Sequence, residues 1–379
     1  MPDVVVIGAG IVGAACAHYA AEKGLTVTVV DRGPVASGTT GAGEGNILVS
    51  DKEPGPELDL ALLSSGLWRE LAAPAGPYAL AMEYEQKGGL VVAGRQETMA
   101  ALAGLAARQA ASGVERELAA DPRELEPDLA PGLAGGVLYP QDAQVQPMRA
   151  AAALLACGGS RRAVHLLTGT EVTGLLRDGD RVAGVRTGRG DIHADAVVNA
   201  AGTWGGEIAA MAGTALPVHP RRGFILVTEP LTSPRIRHKV YTAAYITDVA
   251  GDSAGLASSA VVESTMAGTV LIGASRERVG FDRTPSTPVL RTLAAQAVAL
   301  FPGLADRHVI RTYCGFRPYL PDHLPAIGQD PSAPGLLHAC GHEGAGVGLA
   351  PATGHLIARL LAGERPDLDL GPFDPGRFA

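Results

Sequence analysis

The sequence predicts an α/β protein built on a parallel β-α-β unit, with further short strands that read as antiparallel. Three observations carry this. Asp3-Val4-Val5-Val6-Ile7 is a short β-branched run, as a strand buried on both faces requires. A Gly-rich turn at Gly8–Gly13 leads into an Ala-rich helix to about Lys23, and Gly24 stands where a helix C-cap belongs. Thr26–Val30 is a second buried strand closing on Asp31, which completes the unit within about 30 residues.

Later elements follow in order. Leu58–Ala73 reads as a helix between Pro56 and Pro74, Leu90–Val92 as a strand, and Thr98–Ser112 as an Ala-rich helix. Pro122–Pro131 is a loop, and Met148–Cys157 is helical. Strands are expected at Val164–Leu167, Glu171–Arg177, Arg181–Thr187 and Ile192–Asn199, with a hairpin at Asp178-Gly179-Asp180. Val218–Thr228, Thr269–Ala274, Phe316–Tyr319 and Leu336–Ala339 are further strands. Leu290–Phe301 and Ala350–Leu361 are helices, and no internal repeat is visible.

Composition narrows the class. The chain has 379 residues, 46% hydrophobic and 18% charged, so it buries enough apolar surface to offset its ordering entropy. The length suggests two domains, or one large domain with an insertion. With 31 Lys+Arg against 39 Asp+Glu and no basic tract, nucleic acid and anionic membrane are poor partners. Cys16, Cys157, Cys314 and Cys340 are far apart, which supports neither a metal site nor a disulfide framework and suits a reducing compartment. The apolar stretch Val4–Ala21 lacks a basic leader, carries His18 and continues into Glu22 and Lys23, and its three regularly spaced glycines offer a better reading than a membrane or signal segment. A cytoplasmic protein without a membrane span is expected.

The strongest motif is Gly8-Ala9-Gly10-Ile11-Val12-Gly13. Its first glycine allows a tight turn, its second admits a pyrophosphate close to the backbone, and its third permits close helix–strand packing. Phosphates then meet free N–H groups at the positive end of a helix. Asp31, 18 residues after Gly13, can accept from ribose hydroxyls. The fingerprint serves NAD and FAD alike, and three later features favour FAD. Ser37-Gly38-Thr39-Thr40 offers further phosphate donors. Val197–Gly202 is a late strand ending in small residues. Gly341-His342-Glu343-Gly344-Ala345-Gly346-Val347-Gly348 is a second Gly-rich loop feeding a helix, and its N–H groups can stabilise charge on a reduced isoalloxazine.

With these motifs in place the chain resembles the D-amino-acid oxidase, glycine oxidase and sarcosine oxidase family of flavoproteins. The carrying residues are the fingerprint, Thr170-Glu171-Val172, Ala200–Gly202, and Gly315-Phe316-Arg317-Pro318-Tyr319-Leu320-Pro321-Asp322-His323-Leu324-Pro325-Ala326-Ile327-Gly328 followed by Gly341–Gly354. Gly43–Lys52 and His219–Pro230 look most like the catalytic β subunits of hetero-oligomeric amine dehydrogenases, a group that includes D-hydroxyproline dehydrogenase, opine oxidase and hydrogen cyanide synthase.

The resemblance implies a discontinuous Rossmann-like FAD-binding domain (1–75, 139–218 and 314–379). Into it is inserted a substrate domain built on an antiparallel sheet (76–138 and 219–313). It implies oxidation of an amino or imino acid, of D-proline or hydroxyproline type, by hydride transfer from Cα–H to flavin N5. The acceptor is then oxygen or a partner subunit. The alternatives are an oxygen-using glycine, sarcosine or D-amino-acid oxidase, and a flavin-binding subunit active only with a partner chain.

The implied FAD-binding residues are Gly8, Gly10, Ile11, Val12, Gly13, Asp31, Arg32, Thr39, Thr40, Gly43, Glu44, Gly45, Asn46, Val172, Ala200, Ala201 and Gly202, with Gly344, Ala345, Gly346, Val347 and Gly348 from the C-terminal loop. Arg317 is the expected carboxylate clamp, because guanidinium offers a planar fork and stays charged when desolvated; its alternative is an ion pair with Asp322. His342 and Glu343 either face the reacting centre or brace the loop. Tyr241 and Tyr245 border the pocket or fill core. Glycine oxidases carry a second arginine near Gly344 and a tyrosine near Ser259–Val262; this chain has neither, which puts glycine itself in doubt as substrate. Monomeric sarcosine oxidases attach FAD through a cysteine that falls on Gly315, so Cys314 lies one residue off and non-covalent FAD is preferred. Arg221-Arg222 reads as a second flavin site, a partner contact or a solvated turn.

Overall fold

The computed structural model describes residues 1–73, 79–160, 163–232, 236–246, 251 and 254–378. Pro74 and the side chain of Cys157 lie outside what is described. The first unit forms as expected: β1 (Val4–Ile7), α1 (Ile11–Glu22) and β2 (Val27–Val30), both strands fully buried. They pair in parallel, Val4 against Val27 through Ile7 against Val30. The full sheet runs Ala326–Gln329, Leu336–Cys340, Ala196–Asn199, β1, β2, Val164–Leu167, parallel except at the Ala326–Gln329 edge.

An Ala-rich helix is what this sheet needs, because α1 is covered on nearly every side. The final helix, Gly346–Leu361, crosses it so closely that a Cβ at Gly354 would strike the backbone of Ala15. The C-terminal loop is thereby fixed beside the fingerprint turn, although more than 300 residues separate them in sequence.

A second sheet of eight strands runs Val309–Tyr319, His219–Thr228, Val270–Arg276, Ala257–Ser264, Lys239–Thr242, Gly89–Ala93, Gly135–Tyr139, Glu117–Ala119. It is antiparallel except where Lys239–Thr242 runs parallel to Gly89–Ala93. Helix Thr287–Leu300 covers one of its faces with Val289, Leu293 and Ala297 in a core of their own. A three-stranded sheet contains the expected hairpin, with Gly179 at φ 59°.

Several elements differ from the sequence reading. The single strand expected at Ile192–Asn199 is two. Gly190–His193 pairs antiparallel in the small sheet, and Ala196–Asn199 enters the parallel one. An uninterrupted apolar run does not reveal a change of sheet. The strand at Phe316–Tyr319 begins at Val309 and crosses the boundary expected at 314. Ala257–Ser264 was not foreseen, because its opening Ala-Ser-Ser-Ala carries neither apolar alternation nor β-branched residues. Arg221-Arg222 is no solvated turn: both side chains are buried within a strand. No described helix is long and apolar enough to cross a membrane.

Candidate active site

The site is assembled where the two large sheets meet. A single cavity of about 400 Å³, within the range of small-molecule and cofactor sites, runs past both glycine-rich segments. Its lining includes Gly8, Gly10, Ile11 and Val12 from the first turn and Asp31 and Arg32 after β2. Thr39, Thr40, Gly43, Glu44 and Asn46 follow, then Val172, Ala200, Ala201 and Gly202. Arg317, His342, Glu343, Gly344, Gly346 and Val347 close it. Gly13, Gly45, Ala345 and Gly348 do not line it. A Cβ on Gly13 would collide with the carbonyl oxygen of Gly8, and one on Gly45 with that of Val145. Their role is close packing. Ala345 and Gly348 border a smaller adjoining pocket.

The fingerprint end is suited to a dinucleotide. Gly8, at φ 113°, holds a conformation that favours glycine. No side chain caps α1 at Gly10, so its leading amides stay available to phosphate except Ile11 N–H, which donates to Thr40 Oγ1 at 3.0 Å. Thr39 donates to the Phe316 carbonyl at 2.7 Å. These two hydroxyls thus brace the turn, beyond the phosphate role expected of them. Asp31 accepts from Ala9 N–H and Gly33 N–H, each at 2.7 Å, and its carboxylate retains lone pairs for ribose. Arg32 lies 4.1 Å over the Trp204 ring, which in turn stacks on Phe281 at 5.3 Å. Neither aromatic was foreseen, since nothing local in sequence joins Trp204 to Phe281.

The other end carries the polar side chains. Arg317 is half-buried and donates to the Ser275 carbonyl at 2.9 Å. The ion pair once open to it does not form, since Asp322 pairs instead with Arg377 at 2.6 Å. Among the described residues Arg317 contacts no carboxylate. Burial, reinforced by the charge of Arg276, lowers its pKa below the ordinary guanidinium value. Glu44 is buried, and one of its oxygens accepts from Asn46 at 3.0 Å with Lys239 at 3.7 Å. Burial raises its carboxyl above the usual range despite Lys239. Lys239 itself pairs with Glu263 at 2.6 Å and donates to Asn46. Tyr245 lines the cavity, with Arg276 stacked 5.0 Å over its ring. Tyr241 is fully buried and bonded to Ser50, away from it.

His342 and Glu343 behave differently from each other. His342 is buried, and burial pushes its pKa down to about 3, so the ring is neutral. Thr353 donates to the Leu349 carbonyl at 2.9 Å, so its oxygen accepts from His342 Nε2–H at 2.9 Å. Glu343, at φ 46°, is held by Arg221 and by His323 at 3.0 Å. Burial would raise its carboxyl, but the His323 hydrogen bond and the Arg221 charge outweigh it and lower the pKa. Both its oxygens are committed, which is the geometry of a brace. Arg222 pairs with Glu277 at 2.8 Å and Asp282 at 2.7 Å. Cys314 packs with the helix-side core while its neighbour Gly315 lines the cavity, so the thiol is on the opposite face of the strand. Among the described residues no metal-binding cluster occurs.

Comparisons with known proteins identify the family. A glycine oxidase of Pseudomonas aeruginosa is 33% identical over 98% of this chain and 98% of its own. The hydrogen cyanide synthase subunit HcnC of the same species is 30% identical over 99% of this chain and 96% of its own. The crystal structure of an L-proline dehydrogenase from P. horikoshii superposes with a TM-score of 0.88 at 28% identity, covering 99% of this chain and 97% of that one. The family described as DAO, FAD dependent oxidoreductase, matches residues 3–360, and the chain belongs to that family.

Proposed function

We propose that this chain oxidises a small amino or imino acid, of the D-proline or hydroxyproline type, with Arg317 holding the substrate carboxylate. One observation carries the reading: a guanidinium in the wall of the cavity makes no hydrogen bond or ion pair to a carboxylate among the described residues. A bidentate carboxylate is its natural complement. The relatives named glycine oxidase and L-proline dehydrogenase, one acting on an amino acid and the other on an imino acid, support the class. We assign FAD to the fingerprint, Asp31, Arg32 and the C-terminal loop, held without a covalent bond because Cys314 faces away.

When bound, FAD supplies the two-electron acceptor for the hydride leaving Cα. The chain's own residues do the rest. Arg317 fixes the carboxylate and thereby the direction of the Cα–H bond. Tyr245 and Ile225 give the pocket its apolar wall. Neutral His342 adds no positive charge to the cavity that Arg317 lines. Glu343, Arg221 and His323 hold the loop in register. We assign residues 1–75, 139–218 and 314–379 to the FAD side and 76–138 and 219–313 to the substrate side, with strand Val309–Tyr319 carrying Arg317 between them.

The test is an anaerobic titration of the yellow protein with D-proline, the hydroxyproline isomers, sarcosine, glycine and D-alanine. Bleaching by a proline-type compound at the lowest concentration is the expected result; preferential bleaching by glycine or D-alanine overturns the preference. Admitting air then separates acceptors. Slow return of colour supports transfer to a partner chain, a reading favoured by the relative named as a synthase subunit. Rapid return supports an oxidase.

A further inference from the structure

The proposed substrate reaches the enzyme as a zwitterion, and Arg317 answers only its carboxylate. The positive amine needs a partner too, and its proton must go somewhere before the nitrogen lone pair can assist loss of hydride. We propose that Glu44, resting on the substrate class assigned above, receives the amine at its Oε1 and takes that proton.

Geometry carries this. Glu44 lines the same cavity as Arg317, and its side chain is only 5% exposed. Its two oxygens are unequal. Oε2 accepts from Asn46 and faces Lys239, whereas Oε1 is buried with no hydrogen-bond partner. A buried carboxylate oxygen without a donor is costly unless a ligand supplies one. Both charges address one strand. Arg317 donates to the carbonyl of Ser275, and Glu44 Oε1 stands where a Cβ on Gly273 would be, two residues away. Gly273 thus leaves the carboxylate its room. A cation and an anion so placed in one cavity are complementary to an α-amino or α-imino zwitterion.

The step balances. An N–H bond of the ammonium breaks and an O–H bond forms at Glu44. The neutral amine then loses a hydride from Cα, two electrons leave with it, and the nitrogen lone pair becomes the second bond of a protonated imine. Glu44 returns its proton to solvent as product departs. Lys239, Glu263, Arg317, Tyr245 and Tyr313 are the titratable groups around it. Burial raises its pKa, which brings a carboxylate nearer to a general base matched to the working pH.

The experiment compares holoenzyme with Glu44→Gln and Glu44→Asp, using the amine that best bleaches wild type. Glu44→Gln should lose about 100-fold in kcat/KM at pH 7 and regain about tenfold per pH unit toward the amine pKa, because only pre-deprotonated substrate then reacts. Glu44→Asp should keep the wild-type profile at reduced rate. Tetrahydrofuran-2-carboxylate, with an ether oxygen in place of the amine, should bind Glu44→Gln at least as tightly as wild type. An unchanged profile in Glu44→Gln overturns the proposal alone. So does loss of FAD from both variants, which makes the residue a cofactor contact. If no amine bleaches wild type, the amine reading itself fails and takes this proposal with it.

Discussion

The two glycine-rich segments that frame the cavity use glycine for different reasons. In Gly8–Gly13 the backbone is the instrument. Side chains are excluded because neighbouring carbonyls occupy the space, and the ligand is met by amides. In Gly341–Gly348 side chains carry the work. His342 bonds Thr353, Glu343 bonds Arg221 and His323, and Gly344 and Gly346 have ordinary room around them. A Cβ on Gly344 would stand 3.4 Å from Arg317 Nε and one on Gly346 3.5 Å from His342 Cβ. The first segment is a steric requirement, whereas the second is a platform for chemistry. Apart from Gly341, which is at φ 84° with an added Cβ 2.1 Å from Leu320, the glycines facing Arg317 and His342 should tolerate a methyl group that Gly8 and Gly13 should not.

Gly13→Ala therefore gives the largest expected effect. The added Cβ meets the Gly8 carbonyl, which cannot move because Gly8 N–H bonds Val30 and its own Cβ position abuts Ala200. We expect about 3 kcal/mol of destabilisation, a Tm lower by about 5 °C or more, and purified protein without yellow colour. A yellow variant with the Tm of wild type would erase the distinction between the two segments. Arg317→Met comes next. It should keep FAD and Tm while kcat/KM falls by about 10²–10³, the cost of about 3–4 kcal/mol for losing a charged anchor. Equal loss of flavin and activity would move Arg317 from the substrate to the cofactor.

The same contrast decides how much was legible in the sequence. The first segment is local: strand, turn, helix, strand and Asp31 lie in one stretch, so residue order alone specifies the geometry. The C-terminal motif was legible through resemblance, which singled out Arg317 as a carboxylate clamp, and the structure has that side chain lining the cavity. What stayed hidden was assembled across the antiparallel sheet. Glu343 is 122 residues from the Arg221 that holds it, and Lys239 is 193 from Asn46. Arg221-Arg222 looks like an exposed basic pair until Glu343, Glu277 and Asp282 are brought opposite. Charge pairing over such separations has no periodicity to read. Cys314 is the converse case, since the alternation of side chains along a strand was enough to expect its thiol on the far face.

His342 sharpens the comparison through pH. Its ring is neutral in the fold, with a pKa pushed down to about 3, whereas an unfolded histidine titrates near 6.5. Between those values the unfolded chain binds more protons, so stability falls as pH falls below about 6.5. The slope from this one group is about 1.4 kcal/mol per pH unit. Glu343, with its pKa lowered, contributes only below the ordinary carboxylate range, but Asp142, pushed up to about 7 by burial, and Glu44, also raised by burial, act with the opposite sign over pH 6.5 to 5, so the histidine is read as the difference between wild type and a variant lacking it. Over that window the wild-type denaturant midpoint should fall relative to that of His342→Gln. A decline shared by both would place the acid sensitivity elsewhere in the fold.

Gly344→Ala carries the smallest expected effect and tests the platform idea most directly. The new methyl would touch Arg317 Nε at 3.4 Å and Cδ at 3.5 Å, ordinary contact distances, and Gly344 is exposed with no positive φ to defend. Exchanging glycine for alanine also removes unfolded-state entropy, worth about 0.4–1 kcal/mol in favour of the fold. Tm should therefore stay level or rise slightly, flavin content should be unchanged, and kcat/KM should move less than about threefold. A collapse of flavin binding like that expected for Gly13→Ala would mean the backbone at Gly344 itself lies against the isoalloxazine. The second segment would then belong with the first, as a cradle defined by what must be absent from it.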